Sequence, residues 1–206
     1  VGTAAFDHFD SPNIVIGETG YAGTIHVGNL TVSTGQLTLI ADGDGGHIEI
    51  NGYLVSNASS SLTGKGIVIE GSGATTILNA NMSSNLDIVI NDAIEVQGGD
   101  RQITTTNGAD ITITGGNGTA NEGIHGTKGE ANSLTIDAGT GAVAIGALAG
   151  FGGGSDGSLL QNVAVSGGNV SLYSTSHSVF GDFEFNGPVT ILSLIHIWTL
   201  PTKDSV

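Results

Sequence analysis

The chain has 206 residues, of which 35 are Gly and none is Cys. Without cysteine it holds no disulfide framework, thiolate metal site or cysteine nucleophile. Only 11% of residues are charged, yet 19 acids against four bases leave a net charge of −15, a surface that repels nucleic-acid phosphates and anionic lipid headgroups.

Gly-rich composition alone would suit disorder, but 38% of the residues are hydrophobic and mean hydropathy is +0.20. That is enough to bury a core. The chain opens on Val1, which reads as a processed, trimmed or incomplete N-terminus, and no signal-peptide pattern follows. The most apolar long stretch, GAVAIGALAGF from Gly141 to Phe151, is interrupted by Gly and falls short of the roughly 20 residues a membrane helix needs. No membrane span is expected.

Residues 1–28 read as an N-terminal coil or cap region. From Asn29 onward a short apolar–polar–apolar unit recurs: LTL at Leu37, IEI at Ile48, IVI at Ile67 and Ile88, IEV at Ile94 and ITI at Ile111. It continues with LTI at Leu134, VAI at Val143, VAV at Val163, VSL at Val170 and FEF at Phe183. Period two with β-branched side chains predicts strands. The punctuation predicts turns: Asn51-Gly52 and Asn186-Gly187, Asp42-Gly43 and Asp156-Gly157, and the Gly pairs at Gly98, Gly115 and Gly167. No stretch carries the 3.6-residue apolar spacing of a helix.

One series of strand starts runs Leu37, Ile67, Ile88, Ile111, Leu134, Val163 and Val189. A second series, Ile48, Ile77, Ile94, Val143 and Val170, follows shortly after it, with a gap where NEGIHGTKGE (Asn121 to Glu130) reads as a loop. A period of roughly 20–30 residues holding two or three short strands is the pattern of a solenoid. A three-residue strand buries two apolar side chains, worth roughly 1.5–3 kcal/mol each, too little to order it alone. Stacked coils share that burial and make the hydrogen-bond ladder continuous. The expected fold is an all-β parallel β-helix over residues 29–191; the competing reading is an antiparallel β-sandwich, since NG turns also make hairpins.

At this point the residues resemble a family. Asn29 to Val55 (NLTVSTGQLTLIADGDGGHIEINGYLV) and Ser133 to Leu148 (SLTIDAGTGAVAIGAL) are similar to the repeats of filamentous-haemagglutinin-type and other β-strand-repeat bacterial surface proteins. The similarity is one of pattern and covers most of Asn29 to Ile191. It implies a right-handed β-helix, export to the bacterial cell surface or beyond, and an adhesive or matrix role. Glycans or cell-surface proteins would be the partners, together with the rest of a longer chain of which this is a fragment.

Candidate chemistry is sparse. Polysaccharide-active β-helix enzymes would use paired carboxylates, often beside Arg or Lys, at a defined separation. Outside residues 192–206 the bases are Lys65, Arg101 and Lys128, placed in different coils. GGDRQ (Gly98 to Gln102) reads as a solvated turn and EGIHGTKGE (Glu122 to Glu130) as a polar excursion loop, so no catalytic residue is assigned. Asp42 and Asp44, two apart in ADGDGGH, are the candidate ligands for a calcium ion, with GGGSDGS (Gly152 to Ser158) as a second Gly-rich turn; ordinary corner chemistry is the simpler account of both. His8, His26, His47 and His177 share no ligand spacing and suit surface or corner positions. ITTTNGADITIT (Ile103 to Thr114) hints at an ice-binding Thr rank that no neighbouring unit continues. Five N-x-[ST] sequons, at Asn29, Asn57, Asn81, Asn117 and Asn169, match chance in so Asn-rich a chain.

Residues 192–206 differ from everything before them: they hold the lone Trp and contain no Gly. Back-translated, Leu192 to Ile197 resembles the mosaic end of a transposase-based sequencing adapter. One extra base carries the match on through Thr202. Such a tail is no part of the repeat fold, and implies a frame that ends or is cut near Ile191 in a sequence assembled from shotgun reads. The resulting expectation is a non-enzymatic stalk or adhesive segment of a secreted bacterial exoprotein. A polysaccharide-active β-helix enzyme and a calcium-stabilised matrix protein are its alternatives.

Overall fold

The computed structural model describes residues 13–33, 35–58, 64–115, 123–147, 149–152, 158–174 and 177–192, side chains excepted at 72–74. Described strands follow one another around a three-sided prism. The first coil holds β1 (Asn13–Gly17), β2 (Thr24–Val27) and β3 (Leu30–Val32), and the second β4 (Gln36–Ile40), β5 (His47–Ile50) and β6 (Leu54–Ser56). The third holds β7 (Lys65–Leu78) and β8 (Met82–Ser84); the fourth holds β9 (Asp87–Val96) and β10 (Arg101–Thr105). Then come β11 (Ile111–Ile113), β12 (Ile124–Gly126) and β13 (Leu134–Asp137), followed by β14 (Ala142–Ile145) and β15 (Val163–Ser166). The last described coils contribute β16 (Asn169–Leu172), β17 (Phe183–Asn186) and β18 (Val189–Ile191).

Every pairing between these strands is parallel. They form an 11-stranded sheet folded over one corner and a 7-stranded sheet closing the third side. This is a parallel β-helix, and the sandwich alternative is excluded: the NG turns at Asn51-Gly52 and Asn186-Gly187 join strands of different sides, not hairpin partners.

The core is built of columns. Ile14, Leu37, Ile67, Ile88, Ile111, Val143, Val170 and Val189 occupy one register position on the first side. Ile16, Leu39, Ile69, Ile90, Ile113, Ile145, Leu172 and Ile191 occupy the next inward one. Leu30, Leu54, Met82, Ile103, Ile136, Val165 and Phe185 line the third side. Between Leu37 and Ile145 these columns are fully buried, because each side chain is covered by its equivalents above and below as well as by the facing sides.

Here the sequence phasing needs correction. Leu134 and Val163 do not continue the Leu37–Ile111 column; they lie on the third side, while Val143 and Val170 take their place. The slip has a local cause. Asn121 to Glu130 is not all loop, since Ile124–Gly126 is the strand β12 pairing β9 on the second side, so the fifth coil has three strands where the phasing has Ile111, a gap and a new coil from Leu134. Spacing along the first column is accordingly uneven, shortest from Val170 to Val189 and longest from Ile111 to Val143. Ile77 is a second correction: Thr76 takes the inward position and Ile77 faces outward, in register with Glu49 and Glu95.

Two strands turn a corner without breaking. In β9 the alternation lapses at Asp92, Ala93 and Ile94, all buried in succession. Opposite them β7 carries extra residues between Glu70 and Thr75. Asp92, wholly buried, accepts the Thr76 hydroxyl at 2.6 Å and its own neighbour Ala93 N–H at 2.9 Å. A buried carboxyl keeps its place only with such partners. Gly71 is required there, since any Cβ on it would collide with the Asp92 carboxyl. At the far end of the core the stack changes from aliphatic to aromatic, with Phe183 lying 5.0 Å from Phe151 edge-on, 4.5 Å from Phe185 and 5.9 Å from His177 between ring centroids.

The described part of residues 1–28 is ordinary solenoid, with β1 and β2 in register with β4 and β5. At the other end Leu192 still donates its N–H to Leu172 O at 2.8 Å. Residues 1–12 and 193–206, and so the rest of the 192–206 tail, lie outside the described residues.

Candidate functional site

Acids and amides placed just before strands have a common use: they accept backbone N–H groups of the adjacent coil. Asn29 takes Tyr53 N–H (3.0 Å), Asn81 takes Gln102 (3.0 Å), Asp100 takes Ser133 (2.9 Å) and Asn162 takes Asp182 (2.9 Å). At another corner Asp87 takes Asp110 N–H (2.9 Å), and Asp110 takes Ala142 (2.7 Å). Corners are where the sheet ladder lapses, so these side chains satisfy amides the neighbouring strands cannot reach. This role is absent from the sequence-based expectations. Its signal was an Asn or Asp directly before the first apolar residue of a unit, as in Asn29-Leu30, Asn81-Met82, Asp87-Ile88, Asp110-Ile111 and Asn162-Val163.

The calcium candidates fall under the same chemistry. Asp42 accepts Gly20 N–H of the preceding coil at 2.5 Å, and Asp44 is exposed in the turn beyond it. Among the described residues no three His, Asp or Glu side chains converge to hold a metal ion. Residues 153–157, most of the second Gly-rich turn, lie outside the described residues, as does His8.

The fold brings the bases and acids of two turns together more closely than their sequence separation suggests. Gly98 N–H donates to Glu130 at 2.8 Å, and Gly99 N–H to Asn132 at 3.0 Å. Asp100 caps Ser133, and Arg101 Nη1 donates to Asp100 O at 3.0 Å. Thus Asp100, Arg101 and Glu130 share one corner of the fourth and fifth coils. The Asn132 amide and Gly98 N–H hold the Glu130 carboxyl below its ordinary value, with Arg101 adding to the effect. A general acid needs the opposite shift, and Asp100 is occupied by a backbone amide.

The second side presents an outward column of His26, Glu49, Ile77, Glu95 and His125. His26 Nδ1 lies 2.7 Å from Glu49 Oε2, and Asn51 donates to the same oxygen at 3.1 Å. The Asn51 bond does most to lower the Glu49 pKa; burial opposes it, and His26 and His47 add to the lowering. Glu95 accepts from Gln97 (3.2 Å) and Thr127 (2.8 Å). His26 and His47 are exposed on strands, as a surface reading expects. His177 differs: it is half-buried against Phe151, accepts Phe151 N–H at 3.3 Å, and burial pulls its pKa down. The Thr rank is interrupted, with Thr104 between Ser83 and Asp137 and Thr112 between Val89 and Ala144. No described helix is long and apolar enough to cross a membrane. Compared with family models, curated proteins and solved structures, the chain matches none.

Proposed function

We propose that this chain is a rigid stalk segment of a secreted bacterial surface exoprotein, non-enzymatic, that displays its corners and outward columns for attachment to cells or matrix. The observation that carries the reading is how the polar groups are used. The core is a stack of aliphatic columns that turns aromatic at one end, and Asp87, Asp100 and Asp110 at the corners are committed to backbone amides of neighbouring coils. Such an arrangement lends length and stiffness and leaves few carboxylates free for acid–base work. The acidic surface and outward polar columns supply a solvated exterior, and the parallel edges make stacking indefinitely extensible.

Two assays test it. Beads coated with the chain are expected to attach to cell layers or extracellular matrix above beads coated with an inert protein of equal charge. Incubation with a panel of acidic and neutral polysaccharides is expected to release neither reducing ends nor unsaturated products. Attachment to no surface would remove the adhesive part. Product release would replace it with the polysaccharide-active alternative.

A further inference from the structure

An outer cleft of about 450 Å³ spans the turns of three successive coils, lined by Thr127, Lys128 and Glu130 below, Leu159 and Gln161 in the middle, and Phe180 above. We infer that this cleft binds a neutral saccharide, stacking a sugar ring on Phe180 and bonding its hydroxyls to Lys128, Glu130 and Gln161. The inference rests on the adhesive reading and deepens it by naming a site and a ligand class.

Phe180 is the anchor. It is 76% exposed, although inward positions of the same coil hold Phe183 and Phe185 against the core. Folding gains little from an aromatic ring on the wet side of a solenoid. Its backbone is nevertheless fixed: Phe180 N–H donates to Leu160 O at 2.9 Å, and Gly181 N–H to Gln161 O at 2.6 Å. The ring is therefore presented by a turn bonded directly to the cleft floor. A flat apolar face held in water suits a partner that is apolar on one face and polar at its rim. A pyranose ring has that character, with C–H groups on its faces and hydroxyls around its edge.

The rim matches as well. Sugar hydroxyls need donors and acceptors together; Lys128 donates, Glu130 accepts, and the Gln161 amide does both. Glu130 is oriented in advance, because Gly98 N–H (2.8 Å) and the Asn132 amide (2.7 Å) grip its Oε2. Fixing a recognition group before binding lowers the ordering cost. The cleft volume lies within the roughly 300–1,000 Å³ of small-ligand sites. Three coils spaced about 4.8 Å apart also give it length along the rod for more than one sugar unit. Charge selects among saccharides: Lys128 and Glu130 offset each other inside the cleft, so the −15 of the whole chain disfavours uronates and sulfated sugars.

The test is isothermal titration calorimetry of the full chain with maltotriose, cellotriose, lactose, triacetylchitotriose and trigalacturonate. At least one neutral probe is expected to saturate, and Phe180→Ala to weaken it about tenfold or more with no change in the melting curve. Gln161→Ala is expected to weaken it by a smaller factor. The proposal is overturned if no neutral probe saturates, if Phe180→Ala binds like the parent, or if trigalacturonate binds most tightly. Beads carrying Phe180→Ala separate the two readings. If they attach to cells like the parent, the cleft falls and the adhesive stalk stands; if parent beads never attach, the stalk reading falls by itself.

Discussion

Ile90 and Ile191 occupy the same column, yet Ile90 is fully buried and Ile191 is 51% exposed. Both sit at the second inward position of an apolar–polar–apolar strand and face the same axis. They differ in neighbours. Ile90 has Ile69 on one side and Ile113 on the other, whereas among the described residues Ile191 pairs with Leu172 alone. Composition and alternation score the two strands alike, but burial in a solenoid is a property of a coil's two neighbours. The middle coils are therefore the stable part of the rod, and the last described coil the part that frays first.

The largest expected effect comes from truncating the two equivalents. Ile90→Ala opens a cavity between packed coils and is expected to cost about 2–5 kcal/mol; Ile191→Ala should cost less than about 1 kcal/mol. Urea unfolding of both variants measures the gap, and equal losses would refute the dependence on neighbours. The polar interior follows. Asp92→Ala strands the Thr76 hydroxyl and the Ala93 N–H in the core, an expected loss of about 1–3 kcal/mol. Asn162→Ala, which frees one exposed Asp182 N–H, should cost about 0.5–1.5 kcal/mol. If the second variant were the more damaging, the corner staples would outrank the buried carboxyl.

Acid should loosen the aromatic end before the aliphatic middle. His177 has its pKa lowered by burial from an ordinary value of 6.5, so the unfolded chain takes up the proton first. Its contribution is present above that ordinary value and is lost as pH falls through the lower folded one. The melting temperature is expected to fall between about pH 7.5 and about pH 5.5 in the parent and less so in His177→Gln. Amide exchange should quicken first around Phe151 and Phe183. An equal pH response in the two proteins would place the titrating group elsewhere. The smallest effect concerns calcium: millimolar Ca²⁺ should leave the melting temperature unchanged, while Asp42→Ala lowers it slightly with or without the ion. A calcium-dependent rise abolished by Asp42→Ala would restore the metal reading.

Much of the fold was legible because solenoid strands advertise themselves locally. Alternation marked LTL at Leu37 and ITI at Ile111 as strands, and Gly, Asn and Asp marked the corners. The phasing fails at Ile124–Gly126, because IHG shows a single apolar residue and its register comes from pairing with Ile94 to Val96, and at Ile77, where the corner between Glu70 and Thr75 puts Thr76 inward instead. At the corner of Asp100, Arg101 and Glu130 the sequence shows the residues but not their meeting, since most of a coil separates Arg101 from Glu130 and only stacking closes the distance. Phe180 gave no signal at all. An aromatic residue beside a Gly in a short unit reads as core until its neighbours show which way it faces.

By itself, then, the sequence determined the class of structure: short β units, Gly and Asx corners, an acidic exterior and a core made in thin layers. Those are consequences of side-chain volume, period and backbone freedom, all local. Tertiary structure decided which unit stacks on which, which carboxylates cap amides, why Asp92 tolerates burial and why Phe180 meets Gln161 across a cleft. Coil length is uneven along the rod, so register is set where apolar columns and ladder bonds are satisfied together, which depends on contacts between residues far apart in the chain.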